Sequence, residues 1–230
     1  MRSVLIHGFT QTAASWDPVR ARLRDPASAT ALDVPDGLDW DATVDALADA
    51  GGTGRWVGYS MGGRLALAVA LAHPDRVTSL VLVSAAAGIA DPVARAARVG
   101  ADEALATEIE RDGVDAFLAR WLAQPLFATL PADAAGLAAR RAGNSVARLT
   151  HQLRALGQGV QPEYGARLGE LGARGVPVLL VTGDLDVKYD DLARTLASAI
   201  GPTARHVSVP GAGHAVHLER PAETAALLDD

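Results

Sequence analysis

Short apolar runs separated by longer amphipathic stretches dominate the chain. Val4 to Ile6, Ala29 to Val34, Trp56 to Gly58, Ser79 to Ser84, Val176 to Thr182 and Arg205 to Val209 are apolar or β-branched segments bounded by Gly, Pro or Asp. Such runs predict short strands buried on both faces. Helical spacing fills the intervals: Asp41 to Ala50 ends at Gly51-Gly52, and Gly62 to Ala72 ends before Pro74. Strand and helix in alternation predict an α/β domain with a mostly parallel sheet flanked by helices. From about Asp91 to Arg167 the alternation stops, in an Ala-, Arg- and Leu-rich region with helical spacing and no convincing strand. That pattern predicts a helical cap (91–167) inserted into a core formed by 1–90 and 168–230. Because the first strand starts almost at residue 1, the antiparallel hairpin that often opens such sheets is expected to be missing or trimmed, leaving a small core.

Composition narrows the function classes. At 230 residues and 49% hydrophobic content the chain can bury one full core. A net charge of -6 offers no broad basic surface for nucleic acid or anionic lipid, so neither is an expected partner. With no Cys, there is no disulfide framework, thiolate metal site or thiol nucleophile. The apolar run before Gly8 is too short for a signal peptide or membrane span, and a cytoplasmic enzyme is the expectation. Basic charge is almost all Arg, with Lys188 the only lysine, so the number of arginines says little about function.

Gly58-Tyr59-Ser60-Met61-Gly62 follows an apolar strand and opens an amphipathic helix. This is the context a G-x-S-x-G nucleophile elbow requires: the sharp turn strains the serine backbone, and the glycines admit close passage of neighbouring backbone. His214 sits in Pro210-Gly211-Ala212-Gly213-His214, a Gly-rich loop after the last strand, where an imidazole reaches a serine at the sheet's carboxyl edge. His217 is its rival, assigned instead to the flank of the pocket or helix. The acid that orients the imidazole is sought in Gly183-Asp184-Leu185-Asp186. Asp186, at the fourth position of the turn, is preferred to Asp184, which reads as a turn residue bonding its own backbone. His7 reads as a structural residue of its loop.

The elbow and the Ser, Asp, His order resemble the α/β-hydrolase fold. That resemblance implies an oxyanion hole made by the N–H groups of Phe9, at the end of the first strand, and Met61. Four segments narrow it further: His7-Gly8-Phe9-Thr10, Ser60-Met61-Gly62-Gly63-Arg64, the stretch Leu153 to Pro162, and Gly183 to Tyr189. Together they resemble the 2-succinyl-6-hydroxy-2,4-cyclohexadiene-1-carboxylate synthases, α/β-hydrolase-fold lyases of menaquinone biosynthesis. What the resemblance implies is elimination of pyruvate from an enolpyruvyl cyclohexene bearing three carboxylates, begun by proton abstraction and needing no metal or organic cofactor. Arg64, one helical turn after Ser60, would face the reacting atoms. Arg98 and Arg141 fall where carboxylate-binding arginines are expected in that family, and Trp121 and Phe127 where aromatic side chains wall the pocket. Tyr59 and Lys188 are further substrate contacts. The chain departs from the family at Leu122, where a tyrosine is familiar.

Two other readings use the same residues. A serine hydrolase of esters, thioesters or carbon-carbon bonds needs the same triad and oxyanion hole, and a non-catalytic ligand-binding module could share the fold. The placement of Arg64, Arg98 and Arg141 relative to Ser60 separates an anionic substrate from a neutral ester.

Overall fold

Six strands form one sheet in the computed structural model, which describes residues 2–230. They are β1 (Ser3–Ile6), β2 (Ala29–Leu32), β3 (Gly54–Tyr59), β4 (Val77–Val83), β5 (Val178–Gly183) and β6 (Ala204–Val209), arranged β2-β1-β3-β4-β5-β6 with every pairing parallel. No antiparallel hairpin opens the sheet among the described residues. The expected strands are all present, with ends set by hydrogen bonding. Val34, expected within the second strand, lies beyond β2 because its N–H is donated to the His7 imidazole instead of the ladder. Val176 likewise precedes β5, since Pro177 has no N–H to give.

The helices are α1 (Asp17–Arg20), α2 (Trp40–Gly51), α3 (Met61–Ala72), α4 (Pro92–Leu122), α5 (Leu137–Ala142), α6 (Val146–Leu156), α7 (Leu168–Ala173), α8 (Val187–Ile200), α9 (Val216–Glu219) and α10 (Pro221–Asp229). The sheet is covered on both faces, which is why its strands carry unbroken apolar runs. One core joins Val4, Ile6, Trp56, Leu80, Leu82 and Leu180 to α2, α3, α7 and α8. The other joins Leu5, Val57, Val81 and Val181 to Trp16, Val19 and the C-terminal helices. The chain fills the sheet outward from β1 in two directions, so β1 and β3 flank the point where the strand order reverses, the usual ligand crevice of an open parallel sheet.

Between β4 and β5 the chain is helical, and α4 and α6 share a separate apolar cluster of Ala106, Ile109, Phe117, Leu118, Leu149 and Leu153. After this segment, α7 returns to the main core through Leu168 and Leu171. Gly113 interrupts α4 with φ 79° and ψ 173°, dividing it into two helices. No helix among the described residues is long and apolar enough to cross a membrane.

Gly113 has open space where a side chain would go, so only its backbone conformation demands glycine. Gly113→Ala is expected to destabilise the protein by about 1 kcal/mol, read as a lower midpoint in urea. An unchanged midpoint would mean that the break relaxes without cost.

Candidate active site

The elbow is a steric consequence of three glycines. A Cβ on Gly58 would collide with the Gly62 carbonyl and the Gly63 nitrogen, one on Gly62 with the Ile6 and His7 carbonyls, and one on Gly63 with Ala85. Backbone from β1, β3 and the start of α3 therefore packs in direct contact. Ser60 occupies the turn with φ 50° and ψ -110°, a strained conformation for a non-glycine residue. Its N–H still donates to the Val83 carbonyl at 2.9 Å, which ties the strained residue to β4.

Two loops at the carboxyl edge of the sheet, after β5 and β6, deliver the carboxylate and the imidazole. The His214 Nε2 lies 3.3 Å from Ser60 Oγ and its Nδ1 2.7 Å from Asp186 Oδ2. The imidazole is 2% exposed, and Asp186 is buried with it. Asp184 is exposed and accepts the Gly211 N–H at 2.7 Å, so it staples the β5 loop to the β6 loop instead of bonding its own backbone as expected. His217 lies behind Tyr59, with ring centroids 4.2 Å apart, and neither of its nitrogens has a hydrogen-bond partner. A line of hydroxyl, imidazole and carboxylate can move a proton from the serine while keeping the resulting imidazolium neutralised.

A cavity of about 330 Å³ opens onto Ser60 and His214. Phe9, Met61, Tyr59, Arg64, Arg98 and Lys188 contribute to its wall, as do Trp121 and Phe127. The Trp121 ring packs edge-on against Phe9 at 5.2 Å and lies tilted against Phe127 at 5.8 Å, and Phe127 meets His214 at 6.2 Å. Aromatic packing thus runs from the inserted segment to the imidazole. Leu122 faces a different apolar hollow with Leu130, Ala135 and Leu137. Arg64 is 8% exposed and donates to the Leu156 carbonyl at 2.8 Å and Gln161 Oε1 at 3.2 Å. Burial lowers its pKa to about 10, which leaves it charged at neutral pH. Arg98 is held at the rim by Asp102 at 2.8 Å and Gln158 at 2.7 Å. Burial pushes the Asp102 carboxyl above the usual range, against the opposing pull of Arg98.

Arg141 does not reach the cavity. It is half exposed and pairs with Asp115 at 2.9 Å, while its neighbour Arg140 turns inward. Adjacent helical residues point about 100° apart, so α5 can present only one of the two to the interior.

Two contributors, Glu219 and Tyr189, escaped the sequence reading, whereas His7 holds its loop as expected. The buried Glu219 carboxylate accepts the N–H groups of Gly213 at 2.8 Å and Ala215 at 3.0 Å, bracketing His214 on both sides. An acid on the short helix just after the Gly-rich loop was the available signal. Tyr189 packs against the imidazole with ring centroids 4.6 Å apart. His7 accepts the Val34 N–H at Nε2, 3.1 Å, and therefore donates from Nδ1 to the Gly8 carbonyl at 2.8 Å. This arrangement requires a neutral ring, and burial lowers its pKa to about 4. No group of three or more His, Asp or Glu side chains among the described residues is placed to hold a metal ion.

Comparison with known proteins agrees with this geometry. The model of the alpha/beta hydrolase family matches residues 4–227. A 2-succinyl-6-hydroxy-2,4-cyclohexadiene-1-carboxylate synthase of Enterobacter sp. (strain 638) is 33% identical over 98% of this chain and 89% of that protein. A Bacillus subtilis (strain 168) protein provisionally given the same name is 38% identical over 171 residues, which span 73% of this chain and 61% of that one. Among solved structures, MenH from S. aureus superposes with a TM-score of 0.88 at 24% identity, covering 99% of this chain and 91% of that one, a likeness of fold.

Two outcomes are expected. Glu219→Ala frees the loop that carries His214, and labelling of Ser60 by a fluorophosphonate should slow at least about tenfold; labelling at the parent rate would remove this role from Glu219. His7 and His217 are buried as neutral rings with depressed pKa values, so the unfolded chain binds more protons than the native one below pH 6.5. Stability should fall as pH drops from about 6.5 toward 4, and His217→Phe should make that slope shallower. Thermal midpoints measured across this range test the sign.

Proposed function

This chain belongs to the alpha/beta hydrolase family and, within it, to the 2-succinyl-6-hydroxy-2,4-cyclohexadiene-1-carboxylate synthases, and we propose that it eliminates pyruvate from 2-succinyl-5-enolpyruvyl-6-hydroxy-3-cyclohexene-1-carboxylate. The observation that carries the proposal is Arg64. Its guanidinium is buried in the wall of the cavity that holds Ser60, and among the described residues no carboxylate lies within ion-pairing distance. A buried cation without a counter-ion is costly, and an anionic ligand is what offsets that cost. A neutral ester would leave the cost in place.

Ser60 acts as the base that contacts substrate. His214 withdraws the serine proton, Asp186 stabilises the imidazolium, and the serine oxygen takes the proton from the ring carbon beside the succinyl ketone. The C–H electron pair passes into the ketone to give an enolate, which accepts hydrogen bonds from the N–H groups of Phe9 and Met61. As the enolate collapses, a ring double bond forms next to the side chain, the existing double bond shifts by one position, and the C–O bond to the enolpyruvyl group breaks. The departing enolate takes up the proton held on the Ser60 and His214 pair and becomes pyruvate. Atoms and charge balance, and the triad returns to its starting state.

Arg64 and Arg98 orient the carboxylates, with Lys188 as a further cation at the rim and Tyr59 beside the nucleophile. Trp121 and Phe127 exclude water from the reacting carbon. The helices α4 to α6 serve as the cap over the sheet domain, and the setting is cytoplasmic.

Purified protein should release pyruvate from this substrate in a lactate-dehydrogenase-coupled assay, and Ser60→Ala should abolish the release. Arg64→Ala should lower kcat/KM by about 10- to 100-fold, the worth of one to two charged hydrogen bonds. No pyruvate from the parent protein, together with rapid turnover of neutral p-nitrophenyl esters, would transfer the assignment to a hydrolase.

A further inference from the structure

Arg140 is the second buried guanidinium of the molecule, and it stands outside the cavity. On α5 it is 3% exposed, yet among the described residues no carboxylate lies within ion-pairing distance. Its Nε donates to the Ala135 carbonyl at 2.7 Å, its Nη1 donates to Thr10 Oγ1, and its Nη2 is buried without a partner. Asn144, just beyond α5, donates from Nδ2 to the Thr10 carbonyl at 2.8 Å and to the Arg140 carbonyl at 2.7 Å. Two side chains of the inserted segment therefore converge on one residue of the β1 loop.

Thr10 is an unusual residue to hold. It is fully buried and has φ 67°, a left-handed conformation that β-branched residues rarely adopt. It directly follows Phe9, and the same turn is closed by the Gln11 N–H to the Gly8 carbonyl and the Gly8 N–H to Gln11 Oε1, both 3.2 Å. A strained conformation persists only where its surroundings over-determine it. Here the outside half of that determination comes from Arg140 and Asn144.

We propose that Arg140, with Asn144, is a positioning residue that sets the β1 loop for oxyanion binding and places a fixed positive charge behind it. A neutral threonine hydroxyl needs no cation as its donor, and burying a guanidinium without a carboxylate is costly. The compensation arrives when negative charge develops on the substrate oxygen, where preorganised positive charge in a water-poor site acts most strongly. The Arg140 charge acts to lower the pKa values of Tyr59, His7 and His217, all neighbours of the elbow or of the loop. The inference rests on the Phe9 N–H being an oxyanion donor, a role that the lyase and the serine-hydrolase readings share. It does not rest on the substrate.

A double-mutant cycle between Arg140→Met and Thr10→Val tests it, with Arg140→Lys and Asn144→Ala alongside and with circular dichroism and thermal midpoints to verify folding. In Arg140→Met, kcat for pyruvate release should fall about 10- to 100-fold while KM changes little. Affinity for phenylboronic acid, which forms a tetrahedral adduct on serine, should weaken in parallel, and fluorophosphonate labelling should slow. Thr10→Val should lose less, the double variant no more than Arg140→Met alone, and Arg140→Lys should lie between parent and Met. Additive losses in the cycle, a change confined to KM, or a folded Arg140→Met with parent kcat would each overturn the proposal. If Arg140→Met does not fold, Thr10→Val and Asn144→Ala carry the test, and parent behaviour in both overturns it. If the parent releases no pyruvate, the boronic acid and fluorophosphonate measurements still decide the role of Arg140.

Discussion

Backbone touching backbone at the elbow is the constraint from which the rest of the site follows. With hydrogen atoms in place of side chains at 58, 62 and 63, the end of β3 and the start of α3 press against the last carbonyls of β1 and against Ala85 beyond β4. The strain at Ser60, of order 1–3 kcal/mol for such a conformation, is borne by this contact and by the hydrogen bond to Val83. Because the three strands run parallel in tight register, their carboxyl ends share one edge, and the loops after β5 and β6 arrive at the same place. The hydroxyl is thus set by the sheet, and the imidazole is brought to it.

Charge in this region is divided in an orderly way. Each acid is committed to a partner: Asp186 to His214, Glu219 to the amides of Gly213 and Ala215, Asp102 to Arg98, and Asp184 to Gly211. The buried cations are different, since Arg64 and Arg140 bond only neutral groups. A protein with net negative charge thereby keeps positive potential in and around one cavity. Much of the stability for this arrangement comes from elsewhere, in the two apolar layers that sandwich the sheet.

The six strands could be read from the chain because burial on both faces leaves continuous apolar runs, and Ser60, His214 and Asp186 because each sits in a turn whose glycines have a mechanical reason. The inserted helices were harder. Between Arg140 and Arg141 the choice depends on the rotational phase of α5, which is set by Gly136 in a left-handed conformation at its start, and no periodicity in a six-residue helix encodes that phase. The break at Gly113 was hidden because a single glycine inside a helical pattern is as often tolerated as it is a hinge. Asp184 was read locally, whereas its partner lies on a loop remote in sequence. Arginine abundance masked Arg140, whereas Arg64 was legible from its place one helical turn after Ser60.

The break within α4 leaves the two walls of the cavity on separate rods. The segment before Gly113 carries Arg98 and Asp102, and the segment after it carries Trp121. Without a continuous hydrogen-bonded ladder between them, a change in pitch or roll of one rod is not transmitted rigidly to the other. Polar selectivity and apolar shielding are therefore separable traits in this architecture, and a lineage could retune which anion is admitted while inheriting its aromatic shelter intact.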